Sequence, residues 1–348
     1  MCKVLVYGDW DADGTVATAI LRYTQEILKA YPVKVECKVE AHPSGPRSLR
    51  GKIESMEECP TVLALLDIPY GPPVDEALQV FRQKCPNTRL IIVDHHRSTI
   101  RNTQEIENKY SAEVISGAAP TSVLLYNLVR SLGYRVTPRL EEFTKAVGIL
   151  EYAGRRTSME NVSSKMVDLA ASISKALTAE RDTELWNKFV DWLSSPLPFG
   201  EFKFKPRTVS VERKVEVIEA SKKIADERDK ELKDAAIDLA MSAKNLGFIK
   251  LVDARKKWKK RGATALASRI YSIVKTPVAL LVTSSGGGTL LIVRASRGMA
   301  QRIIDYLDAQ GLIEDKGGHG NLAMAKLRDD VTIEKLEFIL RRATIRSA

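Results

Sequence analysis

Within the first hundred residues, three short apolar runs each end in chemistry-bearing side chains. KVLVY at 3–7 leads into GDWDADG, which supplies Asp9, Asp11 and Asp13; TVLALL at 61–66 leads into Asp67; RLIIV at 89–93 leads into Asp94, His95 and His96. Such runs read as strands, so each cluster falls at a carboxyl end. In an open parallel sheet the ligand crevice lies outside those ends, and residues far apart in sequence would converge there by topology alone. Carboxylates this dense repel one another and take up protons unless cations neutralise them. Several carboxylate oxygens with one or two imidazoles suit Mn²⁺ or Mg²⁺ better than structural Zn²⁺, which would draw on cysteine. Two such ions could hold a phosphate, activate a bridging water and stabilise the leaving oxygen of an in-line displacement, so phosphoester hydrolysis is the expected reaction class. Gly14 is expected to allow a tight turn from the acidic loop into a helix, whose first N–H groups would favour an anion. A single strand-end aspartate often only caps the next helix; clusters at three strand ends favour a site. His42, in AHPSGP, reads as an ordinary loop histidine.

The elements that must position these residues follow from patterning. Strands are expected at 3–7, 33–39, 61–66 and 89–93, in βαβ units with right-handed crossovers. Val16, Ala19, Ile20, Tyr23, Ile27 and Leu28 recur at spacings of three and four, which predicts a helix over 15–29. From about 118 to 195 four apolar-periodic stretches predict a helical cap on the sheet. Residues 196–210, with three prolines and a glycine, mark a connection. A long, partly exposed helix is expected over about 211–244. Alternation then returns, with strands near 247–253, 277–283, 289–295 and 322–327, helices near 263–274 and 299–310, a glycine turn before the last strand, and a closing helix from about 332. The expected fold class is therefore α/β: a parallel-sheet domain with a helical cap (1–205), a linker helix (206–245), and a smaller α/β domain (246–348).

Length agrees, since 348 residues at roughly 150 per domain make about two. A hydrophobic fraction of 44% with 28% charged residues is the balance of a packed, soluble protein. No stretch approaches the roughly 18 apolar residues of a membrane span, and the chain start meets acid by position 9, so no membrane association and a cytoplasmic location are expected. Cys2, Cys37, Cys59 and Cys85 lie tens of residues apart without a C-x-x-C pair, which predicts buried apolar side chains and no disulfide framework. A net charge of +10 favours polyanionic partners, nucleic acid among them.

GDWDADG, the strand ending in Asp67, VDHH and the late KGGHG together resemble the DHH phosphoesterase superfamily with a DHHA1-type second domain, and in particular the RecJ-like nucleases. The resemblance covers nearly the whole chain. It implies that Asp11, Asp13, Asp67 and His95 ligate two Mn²⁺ ions (or Mg²⁺), with Asp67 bridging, and that Asp9 is the extra aspartate of the RecJ-like motif. Asp94 would orient His95, and His96 would contact the scissile phosphate or help protonate the leaving group. Where the family usually supplies a further aspartate after DHH, this chain has Glu151, which reaches the metal through its longer side chain or leaves one ion weakly held. Tyr7 stands where some members put a ligand histidine. In VRASRG, Arg294 and Ser296 would grip the nucleotide beyond the scissile bond, and Gly317, Gly318 and His319 would meet the phosphate across the interdomain cleft. Departures there are Lys316 in place of a third glycine, and Leu-Ala-Met in place of Ala-Ala-Gly.

RKKWKKR (255–261) is six cations around Trp258, either a phosphate-tracking patch with one stacking platform or a solvated basic loop. SSGGGT (284–289) reads as a hairpin turn, since no Lys-Ser/Thr pair follows. The expected function is a metal-dependent phosphodiesterase, an exonuclease on single-stranded DNA or RNA, whose interdomain cleft measures off one terminal nucleotide. The rivals are an enzyme on oligoribonucleotides, cyclic dinucleotides or a nucleotide 3′-phosphate, and a scaffold that binds DNA or replication and repair proteins.

Overall fold

The computed structural model describes residues 2–152, 162–196, 211–284 and 287–347. Most of the expected connection at 196–210 lies outside them. The chain divides into two compact units, 1–225 and 226–348.

The first unit is a parallel sheet of β1 (Lys3–Gly8), β2 (Lys38–Pro43), β3 (Val62–Leu66), β4 (Arg89–Asp94) and β5 (Ala112–Ser116), in the order β2-β1-β3-β4-β5. The crossovers carry α1 (Ala12–Glu26), α2 (Pro46–Glu54), α3 (Pro72–Lys84), and the short pair α4 (Arg97–Arg101) and α5 (Thr103–Tyr110). Alternate side chains serve opposite faces. Val4, Val6, Val62, Ala64, Ile91 and Val93 pack toward α1, while Leu5, Tyr7, Leu63, Leu65, Leu90 and Ile92 join Leu78, Phe81 and Ile106 of α3 and α5. Burial of both faces explains why the central strands read as unbroken apolar runs. Four helices, α6 (Thr121–Ser131), α7 (Pro138–Tyr152), α8 (Ser164–Glu180) and α9 (Thr183–Ser194), gather around α1 as the expected cap.

Two expectations differ from the structure, and one strand was not expected. The second strand covers 38–43, not 33–39: the branched residues of VKVECKV suggest a strand, but Val35 is 59% exposed and pairing with β1 begins at Lys38. β5 gives little signal because it is an edge strand whose residues are only half-buried. The cysteines form two disulfides, Cys2–Cys37 and Cys59–Cys85, with Cα separations of 4.7 and 5.6 Å. Each pair precedes two strands that are neighbours in the sheet, a closeness that sequence spacing does not reveal.

In the second unit, the carboxyl half of α10 (Val211–Met241) leads to a six-stranded sheet. Its elements are β6 (Lys244–Asn245), β7 (Lys250–Asp253), α11 (Ala263–Val274), β8 (Val278–Thr283), β9 (Thr289–Arg294), α12 (Met299–Ala309), β10 (Ile313–His319), β11 (Leu322–Leu327) and α13 (Ile333–Ser347), with strand order β10-β11-β9-β8-β7-β6. Among the described residues of this unit, only β7 and β8 pair in parallel, through α11. One face packs on α12 and α13, the other on α10 and α11. SSGGGT does join the antiparallel strands β8 and β9, with 285–286 outside the described residues. The glycine run at 316–320, by contrast, is mostly strand: Gly317 pairs with Met324 and Gly318 with Ala323 on the edge strand β10. Among the described residues no helix is long and apolar enough to cross a membrane.

Candidate metal centre

β1, β3 and β4 deliver their acidic ends to one place. The Asp9 amide donates to the Leu66 carbonyl at 3.1 Å, tying the first loop to the end of β3, and the Trp186 indole N–H holds the Asp9 carbonyl at 3.1 Å. Asp11 caps α1, accepting from the Gly14 amide at 3.0 Å. Gly14 lies inside α1 and makes no turn; a Cβ there would come within 2.6–2.8 Å of the Asp9 backbone. Its smallness is thus needed for close approach of the acidic loop to the helix. Asp13, buried in the first turn of α1, accepts from the Thr121 amide (2.7 Å) and from the amide and hydroxyl of Ser122. Asp67 sits at φ +63°, in the left-handed region, with its amide on the Val93 carbonyl at 2.9 Å and its Oδ1 accepting from the Thr121 hydroxyl at 2.9 Å.

The imidazoles face this group. His95 Nε2 lies 3.4 Å from Asp67 Oδ1 and 3.9 Å from Asp13 Oδ2. His96 Nδ1 lies 2.7 Å from Asp94 Oδ1 and 3.9 Å from Asp67 Oδ1. Asp94 therefore orients His96, not His95 as the resemblance implies, because the β4 terminus aims its carboxylate past its neighbour. The other oxygen of Asp94 accepts from the Thr99 hydroxyl, which in turn accepts from the Tyr70 amide at 2.9 Å. Among the described residues two sets of possible ligand atoms result, Asp9–Asp11–Asp67 and Asp67–His95–His96, each with all atoms within 4.8 Å of one another and with Asp67 in common.

Electrostatics agrees with a cation-seeking site. Burial, with the Asp11 charge added, pushes both Asp9 and Asp13 up to about 7. Burial and four neighbouring carboxylates raise Asp67 well above the usual carboxylate range. Burial and the nearby His96 lower His95. For His96, burial is outweighed by the hydrogen bond and charge of Asp94, and the net direction is upward. Carboxylate oxygens and imidazole nitrogens without a thiolate are a donor set that fits Mn²⁺ or Mg²⁺.

Glu151 lies exposed on the last turn of α7; desolvation and the charges of Asp11 and Asp13 push it up to about 7, and it belongs to neither ligand set. Tyr7 is buried, its ring centroid 6.1 Å from that of His42. His42 is part of β2, not a loop, with Nε2 2.8 Å from Glu40.

In the second unit Arg294 ends β9 and donates to the Asn321 carbonyl at 2.7 Å, with Ser296 exposed just beyond. The Asn321 side chain accepts from the Gly298 amide at 2.9 Å, and a Cβ on Gly320 would stand 3.3 Å from Gly298. The VRASRG loop and the turn after His319 are thereby held together. Gly318, at φ +107°, tolerates no side chain, since a Cβ would meet the Leu322 carbonyl at 2.5 Å. Trp258 is no stacking platform: it is 5% exposed and belongs to the core under α10 and α11.

Several residues of these sites carry no local sequence signal. Thr121 and Ser122 reach Asp13 from more than a hundred positions away, and PTS at 120–122 shows only that a helix starts. Thr99, Trp186 and Asn321 are equally silent.

An α/β sheet with carboxylates and imidazoles at its carboxyl edge, followed by a smaller α/β unit with a glycine-bearing edge strand, defines the class of architecture. The fold is similar to that of solved RecJ and DHH-domain structures. It is similar to RecJ from Thermus thermophilus in complex with Mn²⁺ (TM-score 0.68, 17% identity, 99% of this chain and 52% of that one), so this chain spans about half of that protein's length. It is also similar to the DHH domain of a member of a family of ribosomal proteins (TM-score 0.68, 15% identity, 99% of this chain and 87% of the other). PggH of Vibrio cholerae, a pGpG-specific phosphodiesterase, is similar over the full length of both chains at 10% identity and a TM-score of 0.52. No protein-family model matches the sequence, and no curated protein matches it.

Proposed function

We propose that this chain is a divalent-metal-dependent phosphodiesterase that removes nucleotides from an end of single-stranded DNA or RNA. The observation that carries this reading is the pair of ligand sets that share Asp67. Asp9, Asp11 and Asp67 would hold one Mn²⁺ or Mg²⁺; Asp67 and His95, with Asp13 Oδ2 3.9 Å from His95 Nε2, would hold a second, and His96, the third member of that set, is assigned here to the substrate and not to the ion. When bound, such ions supply charge neutralisation at the phosphate and a water acidic enough to attack it. The chain's own residues do the rest. Asp94 fixes the ring of His96 through Nδ1, which leaves Nε2 to serve the leaving oxygen. In the second unit, Arg294, Ser296 and the Gly317–Gly318 strand would bind a nucleotide phosphate.

The resemblance to PggH brings a dinucleotide into the test. An end-labelled single-stranded 30-mer and a dinucleotide are incubated with the chain in Mn²⁺ and, separately, in chelator. Stepwise shortening of the 30-mer that needs Mn²⁺, and that is lost in Asp67→Ala and His95→Ala, is the expected result. Preference for the dinucleotide would replace the exonuclease by an enzyme of short substrates. Absence of Mn²⁺ binding in calorimetry would leave a scaffold.

A further inference from the structure

We propose that Lys256, Lys257 and Lys259 form a phosphate-docking surface for single-stranded nucleic acid, at the end of the second sheet opposite to Arg294. The proposal rests on the proposed function and adds a preference for long strands over short ones.

The segment Arg255–Arg261 follows β7 as a turn that is firmly held. The Lys257 and Trp258 amides donate to the Ala254 carbonyl at 3.0 and 2.8 Å. The Trp258 ring is buried, with the Arg228 guanidinium 5.3 Å from its centroid, and Arg228 also bonds the Arg261 carbonyl. The Thr283 hydroxyl donates to the Arg255 carbonyl at 3.1 Å. Two of the cations are already neutralised, Arg255 by Asp253 and Lys260 by Glu231. Lys256, Lys257 and Lys259 are exposed and, among the described residues, show no ion pair. A buried tryptophan at the centre of a basic run thus turns the lysines outward on a fixed support, which lowers the ordering cost of docking. With the ring inside the core, the surface offers charge without stacking, and its contacts are with phosphates, not bases.

Position gives the surface its consequence. Arg255 is level with Thr283, whereas Arg294 pairs with Val278 at the other end of β8. Five residues of strand separate the two levels, about 17 Å at 3.4 Å per residue. A nucleic-acid strand that touches both must be several nucleotides long, and a dinucleotide held near Arg294 gains nothing from the lysines.

The test is direct binding, with EDTA present so that no strand is cut. Anisotropy of a labelled single-stranded 20-mer and of a labelled tetramer is measured against salt for three full-length proteins: the parent, Lys256→Gln/Lys257→Gln/Lys259→Gln, and Lys222→Gln/Lys223→Gln/Lys233→Gln, which removes the same charge from exposed positions of α10. The loop variant is expected to bind the 20-mer roughly tenfold more weakly, with a log–log salt slope smaller by about 2 (three contacts at ~0.7 each). The tetramer should be held as before, and the α10 variant should resemble the parent. Unchanged affinity of the loop variant for the 20-mer, or equal losses in both variants, would overturn the proposal. Hydrolysis is read separately: a chain that needs the lysines to bind but digests nothing refutes the exonuclease alone. One that digests yet ignores the lysines refutes only this surface.

Discussion

Both oxygens of Asp94 are committed, one to His96 Nδ1 and the other to the Thr99 hydroxyl. That leaves Asp94 as a positioning residue, with Thr99 behind it. Replacing Thr99 by Val keeps the shape but leaves a buried carboxylate oxygen without its donor, which costs about 1–3 kcal/mol. We expect Thr99→Val to lower kcat about tenfold with KM unchanged and to lower the melting temperature, and Thr99→Ser to restore both; steady-state kinetics beside a thermal melt checks this. Gly14 makes a second case at this scale. A methyl group there collides with the Asp9 backbone, not with a movable side chain, so Gly14→Ala should displace the acidic loop and weaken Mn²⁺ binding in calorimetry even where the protein stays folded. The sequence shows Asp9, Asp11, Asp67 and the two histidines because each follows a recognisable strand. It does not show Thr99, Thr121 or Ser122, since a hydroxyl that serves a carboxylate across the fold looks like any other helix-start residue.

Among the elements, legibility follows burial. β1, β3 and β4 are buried on both faces and announce themselves as apolar runs, whereas the edge strands β5 and β10 are half-polar or glycine-bearing and do not. The expected position of β2 is displaced because the branched residues at 33–39 precede the ladder. The disulfides follow from this same sheet order: Cys2 and Cys37 stand at the amino ends of β1 and β2, Cys59 and Cys85 ahead of β3 and β4. They are therefore at the edge of the sheet opposite to Asp9, Asp67 and His95. Loops of 35 and 26 residues imply that each bond stabilises by about 2–4 kcal/mol, mostly by restricting the unfolded chain. Urea titration with and without reductant should show a lower midpoint on reduction, and a smaller loss for Cys37→Ser alone. Mn²⁺-dependent turnover in the absence of urea should hardly change, because the site hangs from the other ends of the strands.

At the scale of the whole molecule, the site's charges and the fold's stability are one problem. Asp9 and Asp13 are raised to about 7 and Asp67 lies well above its usual range, against about 4 in the unfolded chain. A carboxyl raised on folding contributes stability that is complete below its unfolded value and is lost as pH climbs through its folded value. In chelator, then, Asp9 and Asp13 should make the protein less stable as pH rises from about 4 to about 7, and Asp67 acts in the same direction. Other carboxyls act in the opposite sense at lower pH. For Asp75 burial alone would raise it, but Lys109, Tyr110 and Tyr70 outweigh that and hold it at about 2, so its contribution is lost as pH falls from 4 toward 2. The chelated protein should accordingly be most stable on the acid side of neutrality. Divalent cations reverse the upper limb, because they bind the deprotonated carboxylates and displace the protons that folding retained. The stabilisation by Mn²⁺ should therefore grow with pH between 4 and 7, and disappear in Asp67→Asn; thermal melts at several pH values, with Mn²⁺ and with chelator, measure it. A metal-induced rise in melting temperature that is independent of pH would mean that the cation binds somewhere other than this carboxylate cluster.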